Sequence, residues 1–496
     1  MNSRYQAVIG IECHVELRTE TKMFCGCSNA FGGEPNTKVC PVCLGMPGAL
    51  PVPNAKAIAH VIRTGLAFSA EIAEFSKFDR KNYFYPDMPK DYQISQYDMP
   101  LTRGGEVKYW REDGTMGSCR LVRIHLEEDT GKSTHAGSGD GRIAGSSYSL
   151  VDFNRAGVPL MECVSEPELH SADDAVAYLE ALRRTLLQIG VSDVRMEEGS
   201  LRCDANVSIR PAGRNELGTK TEIKNMNSFR SVARAIESEI RRQVALLESG
   251  QRIVQETRGW DELKGVTHPM RSKEEAHDYR YFPDPDLVPL EIAAGDVEAI
   301  RGTLYELPWQ RFERYASQYG LEPKQATQLI DMGLQDAAFE NYFGAAIRAC
   351  NKPKEVMNFV LGDLSRLANE TGVPIASSGV TWQRLADLVE ITAQQRITSK
   401  VAKEVLQVFW SRASDLPDGA MPSSYVEEKG LVQTSDPASI ERFVDSVVTE
   451  HPNVVADYRA GKTNVAGFLV GQVMKASKGK ANPALVNELL RRKLER

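Results

Sequence analysis

The sequence lacks any apolar run that approaches the roughly 20 residues needed to cross a membrane. Residues 1–6 lead directly into the strand-like segment 7–11, without the apolar stretch of a signal peptide. From these absences we expect a cytoplasmic protein that has no membrane partner. Thiols stay reduced in that compartment, so disulfide bonds are not expected. The nine cysteines must then serve metal binding or burial.

A P-loop is also missing. Gly131, Lys132 and Ser133 match the end of that motif, but Leu126 occupies the position of its first glycine. We therefore do not expect the chain to cradle a nucleotide in the manner of the P-loop proteins.

Length and composition are those of an ordinary globular protein. The 496 residues predict two to four domains, with 42% hydrophobic and 26% charged residues. The formal net charge is -7, yet the C-terminal tail is positive. This contrast indicates a polyanionic partner, although solvated helix ends would give the same pattern. The basic residues of the tail are Lys475, Lys478, Lys480, Arg491, Arg492, Lys493 and Arg496, against the acids Glu488 and Glu495.

Residues 201–210 alternate between apolar and polar side chains, which predicts a half-buried strand. A second strand is predicted over residues 219–224, after a short turn. Together the two strands would present acids, amides and cations on one surface, which suits a metal ion and a polyphosphate better than a core. The polar side chains are Arg202, Asp204, Asn206, Ser208 and Arg210 on the first strand and Lys220, Glu222 and Lys224 on the second.

Residues 7–17 alternate in the same way and predict another strand with one polar face. Glu12, His14 and Glu16 share that face. Two carboxylates around an imidazole form a reasonable surface for a divalent metal ion. A solvent-exposed strand would show the same pattern, so both interpretations stay open at this point.

Four cysteines form two closely spaced pairs in turn-rich sequence. Cys25 and Cys27 are followed, after twelve residues, by Cys40 and Cys43. Four reduced thiols on two turns are typical of a tetrahedral structural zinc site. The alternatives are four unrelated buried cysteines or an iron–sulfur cluster, whose usual spacing differs from this one.

Residues 121–127 predict a further strand, on which Arg123, His125 and Glu127 share one face, and a turn is expected to open at Glu128. Nearby, residues 151–162 read as strand, turn and strand and carry Glu162.

Two segments mix aromatic and charged residues without apolar periodicity. Residues 78–93 interleave aromatic residues with basic ones, among them Lys90. Such a loop can stack a base or hold a phosphate, although packing of the aromatic residues would explain it equally well. Residues 270–286 repeat the mixture, and we interpret them as either a connector or one wall of a site.

Apolar residues at helical spacing predict helices over residues 54–73, 172–189 and 228–249, and several more between residues 300 and 410. A loop over residues 414–424 precedes a last helical unit. There Gly467 and Gly471 lie four residues apart, and we expect them to allow close packing of helices.

Six motifs resemble the GatB/GatE family, the B subunits of bacterial tRNA-dependent amidotransferases. The resemblance extends over essentially the whole chain, and the motifs are long and peculiar to that family. They occupy residues 11–17, 84–90, 157–162, 202–208 and 220–228, and the Gly-x-x-x-Gly helix of the tail.

The resemblance implies an α+β fold with three parts. Residues 1–293 would form an antiparallel-sheet cradle related to the glutamine synthetase/guanido kinase fold, with a zinc knuckle at residues 25–43. This part would bind ATP, Mg²⁺ and the 3′ end of aminoacyl-tRNA. Residues 294–412 would form an all-α linker domain, and residues 425–496 a helical tail domain similar to YqeY proteins that binds tRNA.

The implied chemistry is phosphorylation by ATP of the side-chain carboxylate of Glu or Asp attached to tRNA, followed by displacement of phosphate by ammonia. Phosphoryl transfer needs a divalent ion and cations beside the phosphates. The resemblance assigns catalysis to Glu12, His14, Glu127, Asp204 and Glu222. It assigns Mg²⁺ to Glu12, His14, Glu127 and Glu128, with Glu16 as a further candidate. Candidates for phosphate contact are Arg202, Lys220 and Lys224, together with Lys90 of the aromatic and basic loop. The cysteine spacing assigns structural zinc to Cys25, Cys27, Cys40 and Cys43. The positive charge of the tail, together with the implied tRNA substrate, assigns tRNA binding to Lys475, Lys478, Lys480, Arg491 and Arg492.

The sequence contains no amidase Ser-x-Ser-Lys constellation that we can find, so ammonia must come from a separate protein. The resemblance implies a heterotrimer with an amidase (glutaminase) subunit that supplies the ammonia, together with a small third subunit. Its substrate would be tRNA(Gln) or tRNA(Asn) misacylated with Glu or Asp. The alternatives are a non-catalytic tRNA-binding module and a kinase for free glutamate. The many acids on the polar strand faces argue against a pure binder, because acids repel a polyanion.

Overall fold

The computed structural model describes residues 4–137, 145–272, 278–433, 436–477 and 479–495. The chain divides into two compact units, Met1–Glu313 and Arg314–Arg496. Strands occur only in the first unit, as far as the described residues show, and the second is helical. Within the same residues, no helix combines the length and the apolar character that a membrane crossing requires.

The strands of the first unit are, in chain order, β1 (Tyr5–Glu16), β2 (Glu71–Ile72), β3 (Phe75–Ser76), β4 (Asp79–Asn82), β5 (Tyr92–Ser95), β6 (Thr102–Arg103), β7 (Glu106–Trp110), β8 (Met116–Glu128), β9 (Lys132–Ala136), β10 (Tyr148–Asp152), β11 (Pro159–Ser165), β12 (Leu201–Pro211), β13 (Thr221–Lys224), β14 (Glu256–Asp261), β15 (Val266–Ser272), β16 (Phe282–Pro283) and β17 (Leu290–Glu291). Ten of them form one sheet in the order β15-β14-β13-β12-β1-β11-β8-β6-β2, with β7 also paired to β8. Its pairs are antiparallel except for β13 with β14.

Strand β1 lies at the centre of the sheet because its apolar residues need burial on one face. Ile11, Cys13 and Val15 are at most 1% exposed, whereas the intervening polar residues are half-buried. The strand pairs with β12 over residues 5–15 on one side and with β11 over residues 12–16 on the other. The predicted alternation of β1 and β12 is therefore confirmed.

Three helices of the first unit cover the apolar face. They begin where a side chain caps the free amide groups of the first turn: Asn54 before α1 (Ala55–Ala67), Ser171 before α2 (Ala172–Gln188) and Ser228 before α3 (Phe229–Glu248). Helix α1 ends before the predicted residue 73, because Ser69 takes a positive φ of 56° and β2 follows. Helices α2 and α3 pack on each other and on strands of the sheet.

This face forms one hydrophobic core with the helices. Tyr178, Leu179, Leu182 and Leu186 of α2 are all 0% exposed within it. Truncation of such a leucine to alanine costs roughly 2–5 kcal/mol. The apolar face is thus committed to stability, which leaves the opposite, polar face of the sheet for chemistry.

The segment from residue 294 onward is helical, as the sequence predicted. The helices are α4 (Ala294–Arg301), α5 (Pro308–Tyr319), α6 (Pro323–Gln335), α7 (Phe339–Cys350), α8 (Pro353–Phe359), α9 (Ser365–Thr371), α10 (Trp382–Ala393), α11 (Ser399–Ser411), α12 (Pro422–Glu428), α13 (Pro437–Glu450), α14 (Pro452–Arg459), α15 (Ala466–Ala476) and α16 (Pro483–Leu494). A π-helical turn, Val360–Leu364, joins α8 to α9.

The last helices share a hydrophobic core of their own, in which Leu469 and Val473 of α15 are fully buried. The two glycines of that helix do not take part. A Cβ added at Gly467 or Gly471 would meet nothing within 4 Å. The prediction that they allow close helix packing is wrong, because α15 turns its aliphatic stripe, not its glycine stripe, toward its neighbours.

Candidate functional site

Polar side chains from five neighbouring strands form a continuous row on the open face of the sheet. Strand register aligns them: Glu12 lies opposite Asp204, His14 lies opposite Arg202 on one side and opposite Glu162 on the other, and Glu162 lies opposite His125. Directly paired residues of antiparallel strands share a face. The row comprises Arg123, His125 and Glu127 of β8; Glu162 of β11; Glu12, His14 and Glu16 of β1; Arg202, Asp204 and Asn206 of β12; and Glu222 and Lys224 of β13.

A cleft of about 380 Å³ lies over part of this row, where it is lined by His14, Glu127, Arg202, Asp204 and Lys224. Its walls include Lys81 and Tyr83, which come from the aromatic and basic segment, and Asp129 and Thr130, which follow β8. Residues 225–227, directly after β13, close another side.

One group in the cleft has the composition of a divalent-metal site. A ring nitrogen of His14 and carboxylate oxygens of Glu127 and Glu162 all lie within 4.8 Å of one another. His14 Nε2 is 4.0 Å from Glu127 Oε1 and 3.8 Å from Glu162 Oε2. Two carboxylates and one imidazole suit Mg²⁺ or Mn²⁺, and the Ser95 hydroxyl orients Glu127 by donating to its Oε2 atom at 3.1 Å.

A second imidazole, that of His125, lies beside the two carboxylates of this group. His125 is 2% exposed, and its Nε2 atom lies 3.1 Å from Glu162 Oε2 and 3.8 Å from Glu127 Oε2. Burial alone would lower the pKa of His125, but the two carboxylates, Glu162 foremost, outweigh it and raise the pKa to about 9. The charged ring in turn holds the pKa of Glu162 below its ordinary value against the opposing effect of burial.

The neighbouring strands contribute a separate carboxylate group. Glu12 accepts a hydrogen bond from Asn206 Nδ2 at 2.8 Å, and burial, followed by the charges of Glu162 and Glu222, raises its pKa. Lys224 makes ion pairs with Asp204 and, at 2.8 Å, with Glu222. One ammonium group thus offsets two of the three acids.

The cationic end of the cleft is built around Asp129, which is 3% exposed. Arg202 Nη2 lies 2.6 Å from Asp129 Oδ2, and Arg155 Nε lies 3.5 Å from the same oxygen. The Nε atom of Arg202 is buried and has no hydrogen-bond partner among the described residues. Burial, followed by the charge of Asp129, raises the pKa of the adjacent Glu16 to about 7.

The aromatic and basic segments lie side by side, as far as they are described. Strand β16 pairs with β4, and Asn82 Nδ2 donates to the carbonyl of Tyr279 at 2.9 Å. The Lys81 ammonium lies 4.8 Å from the centre of the Tyr279 ring. Burial opposes the charge of Lys81, but Glu127 and other anionic groups raise its pKa above the ordinary value. The part of residues 270–286 from Tyr279 to Asp286 thus lies against β4, whose Lys81 lines the cleft. Residues 270–272 instead belong to β15, which pairs with β14, and residues 273–277 lie outside the description.

Several predicted site residues are not brought to the cleft. Glu128 is the next residue after Glu127 on β8, so it points to the other side, where it makes an ion pair with Lys90 and accepts from the Ile94 amide at 2.9 Å. Lys220 is exposed before β13 and does not line the cleft. The structure therefore differs from the expected grouping at Glu128, Lys90 and Lys220.

In the tail, Lys475 and Arg491 are exposed and Lys480 is half-buried. Arg492 lies 3.4 Å from Glu441, and Lys478 is outside the described residues. Their assignment to tRNA stays a prediction.

Sequence reasoning missed Glu162 as a ligand, and it missed Asp129 as the anchor of two arginines. The alternation of residues 159–165 already gave Glu162 a polar strand face. What the sequence could not supply was the order of strands, which sets β11 between β1 and β8.

The four paired cysteines converge as predicted. Sulfur atoms of Cys25, Cys27, Cys40 and Cys43 lie within 4.8 Å of one another. The Cys40 amide donates to Cys43 Sγ at 3.2 Å, an arrangement that stabilises a thiolate. The donor set is four soft sulfur atoms, which is consistent with a structural zinc site.

Comparisons with known proteins identify the family of the chain. The family model described as the GatB/GatE catalytic domain matches residues 7–298, and that of the GatB domain matches residues 341–494.

Three curated relatives are named as the B subunit of aspartyl/glutamyl-tRNA(Asn/Gln) amidotransferase. The protein of Carboxydothermus hydrogenoformans is 50% identical over 491 residues, which is 99% of each chain. That of Moorella thermoacetica is 52% identical over 490 residues, 99% of this chain and 100% of its own. That of Anaeromyxobacter dehalogenans is 52% identical over 496 residues, 99% of each. Because the two models cover both parts of the chain and these relatives match 99% of it, the chain belongs to the GatB/GatE family.

Proposed function

We propose that the chain is the ATP-dependent B subunit of a glutamine-dependent tRNA amidotransferase, a carbon–nitrogen ligase. It phosphorylates the side-chain carboxylate of Glu-tRNA(Gln), Asp-tRNA(Asn) or both, and it then converts the activated carboxyl group to the amide with ammonia. Family membership and the shared name of the relatives support this assignment. The observation that carries it is the cleft itself, which combines a divalent-metal group with an arginine donor that lacks a partner among the described residues.

His14, Glu127 and Glu162 fit Mg²⁺, since they offer hard oxygen atoms and one imidazole in a half-buried group. Held there, the ion would offset the negative charge that develops on the phosphate during its transfer. Arg202 reaches the cleft with its Nε–H free to donate, and its other end is fixed by Asp129. Lys224 adds a second cation that its two acidic partners hold in place. These residues would orient a polyphosphate beside the metal group, with Glu12 and Asp204 close by.

For the four cysteines we propose structural Zn²⁺. Four sulfur ligands would close the coordination sphere, so this ion would brace residues 25–43 and take no substrate.

For the fold we propose the glutamine synthetase/guanido kinase relationship for residues 1–293, followed by a linker domain over residues 294–412 and a YqeY-like tail over residues 425–496. The mostly antiparallel ten-stranded sheet supports the first part, and the separate hydrophobic core of the last helices supports the third. Exposed basic residues such as Lys475 and Arg491 support tRNA binding by the tail.

The partners we propose are an amidase (glutaminase) protein, which releases ammonia from glutamine, and a small third protein, in a cytoplasmic heterotrimer. The name of the relatives, which marks them as one subunit of an amidotransferase, supports a multisubunit enzyme.

The test is amide formation by the reconstituted complex on Glu-tRNA(Gln), on Asp-tRNA(Asn) and on free glutamate, with and without ATP. We expect ATP-dependent amidation of at least one misacylated tRNA and none of free glutamate. His14→Ala should abolish phosphate transfer while tRNA affinity changes little. ATP turnover by His14→Ala equal to that of the unaltered complex would refute the catalytic assignment.

A further inference from the structure

A buried lysine stands beside the four-cysteine knuckle, which comprises residues 25–43. Lys22 is 1% exposed, and its ammonium group lies 3.7 Å from Cys43 Sγ and donates to the Phe153 carbonyl at 3.2 Å. Taking an ammonium group out of water is costly unless an anionic group faces it. Four thiolates around one Zn²⁺ carry a net negative charge, so a filled knuckle would supply that counter-charge.

Backbone and side-chain hydrogen bonds tie the knuckle to residues 151–154. Asn36 accepts from the Phe153 amide at 2.7 Å and donates to the Val151 carbonyl at 3.0 Å. Asn154 accepts from the Lys38 amide at 2.8 Å and donates to a carbonyl of the knuckle at 2.7 Å. The segment that follows β10 thus has the knuckle as one of its supports.

The same segment continues into the cationic end of the cleft. Arg155 donates to the carbonyls of Thr130 and Gly131 at 3.0 and 2.9 Å. The amide of Gly157 donates to the Asp129 carbonyl at 2.9 Å, and the Asp129 amide donates to the carbonyl of Val158 at 2.8 Å.

This end is also anchored from the knuckle side. The amide of Met23, the residue after Lys22, donates to the Gly157 carbonyl at 2.7 Å. Asp129 in turn fixes Arg202, the arginine whose Nε–H has no partner among the described residues.

We propose that Lys22 is a positioning residue that couples the metal of the knuckle to the Asp129 and Arg202 end of the cleft. With the metal bound, the thiolates hold the ammonium group, and the ammonium group holds residues 153–158 and through them Asp129. With the metal removed, the four sulfur atoms are no longer held together around one ion beside the ammonium group, and this support weakens. The proposal rests on the zinc assignment made above but not on the identity of the tRNA.

The experiment is amide hydrogen exchange of the full-length chain, zinc-loaded and zinc-stripped, in the unaltered protein and in Lys22→Met. Zinc removal should raise exchange at residues 129–131 and 151–158 of the unaltered protein. Lys22→Met should show that raised exchange with zinc still bound, and zinc removal should add little more. This lack of additivity distinguishes coupling from simple loss of stability. Lys22→Met should also release zinc to a chelator about 10- to 100-fold faster than the unaltered protein does, which is the usual effect of losing a partner of a metal ligand.

Lys38→Met is the matched control. Lys38 lies in the knuckle, but among the described residues its ammonium group donates only to the carbonyls of Ala30 and Gly32. This control should retain the full effect of zinc on residues 151–158. Additive effects of Lys22→Met and zinc removal would overturn the proposal. If Lys22→Met does not fold, Lys22→Gln takes its place, and unchanged exchange after zinc removal from the unaltered protein would contradict the coupling by itself. An unaltered protein that binds no zinc would instead remove the zinc assignment, and the coupling with it, while leaving the cleft chemistry untouched.

Discussion

Glu162 offers the sharpest test of the candidate metal group, because it was identified from geometry alone. Glu162→Gln keeps the size of the side chain and removes one of the two negative charges that face His14. The side chain is 14% exposed, so solvent replaces part of the lost interaction but not all of it.

The structure sets the expected size of the effect. Glu162 Oε2 lies 3.8 Å from His14 Nε2, so an ion held between these two side chains would lie no farther than that from the carboxylate. Two unit charges about 4 Å apart interact by roughly 4 kcal/mol at an effective dielectric constant of about 20. Because the cleft is open to water, we halve this value to about 2 kcal/mol. That energy corresponds to about 30-fold weaker binding of a divalent ion.

The assay is Mn²⁺ titration of the full-length protein, followed by electron paramagnetic resonance. Glu168→Gln is the matched control, because it removes the same charge from a carboxylate that pairs with exposed Arg120 after the end of β11. We expect the control to bind Mn²⁺ as the unaltered protein does. Equal Mn²⁺ affinity of Glu162→Gln and the control would refute the assignment of Glu162 as a ligand.

Three further predictions concern other charged groups. The pKa of His125 is raised to about 9, so its stabilising contribution is complete below about pH 6.5 and is lost as pH rises through about 9. His125→Asn should remove this pH dependence, on the order of 3 kcal/mol, from the free energy of urea unfolding measured with a chelator present. The pKa of Glu16 is raised to about 7, so its contribution to stability is present below about pH 4.5 and is lost as pH rises through about 7. Glu16→Gln should therefore make the free energy of unfolding less dependent on pH between these values. An unchanged pH dependence would contradict the burial of this acid. In the tail, replacing exposed Lys475 and Arg491 by Gln should lower tRNA affinity. The slope of log affinity against log salt concentration should become shallower by about one or more. Lys493→Gln removes a lysine that is already paired with Glu441 and Asp445, so it should change both quantities much less.

Much of the sheet's polar face could be predicted from the sequence. Alternation is a local property, and it correctly placed Glu12, His14 and Glu16 on one side of β1 and Arg202 and Asp204 on one side of β12. The convergence of the cysteine pairs was likewise predictable, because their spacing reports a local turn geometry.

The composition of the metal group could not be predicted in the same way. Glu162 is distant in sequence from His14, and only the order of strands makes them neighbours. Glu128 shows the reverse case, since it adjoins Glu127 in sequence but points to the opposite side, because β8 continues through it where a turn was expected. Lys90 forms an ion pair with the buried carboxylate of Glu128 and so does not reach the cleft.

The claim on which the account depends is that the polar face of the sheet holds a divalent ion beneath a nucleotide. The most direct measurement is anomalous diffraction from crystals of the complex containing Mn²⁺ and a non-hydrolysable ATP analogue. The account predicts a manganese peak bounded by His14, Glu127 and Glu162, with a phosphate oxygen within hydrogen-bonding distance of Arg202 Nε. A nucleotide bound elsewhere, or a cleft with no manganese among those three side chains, would contradict it.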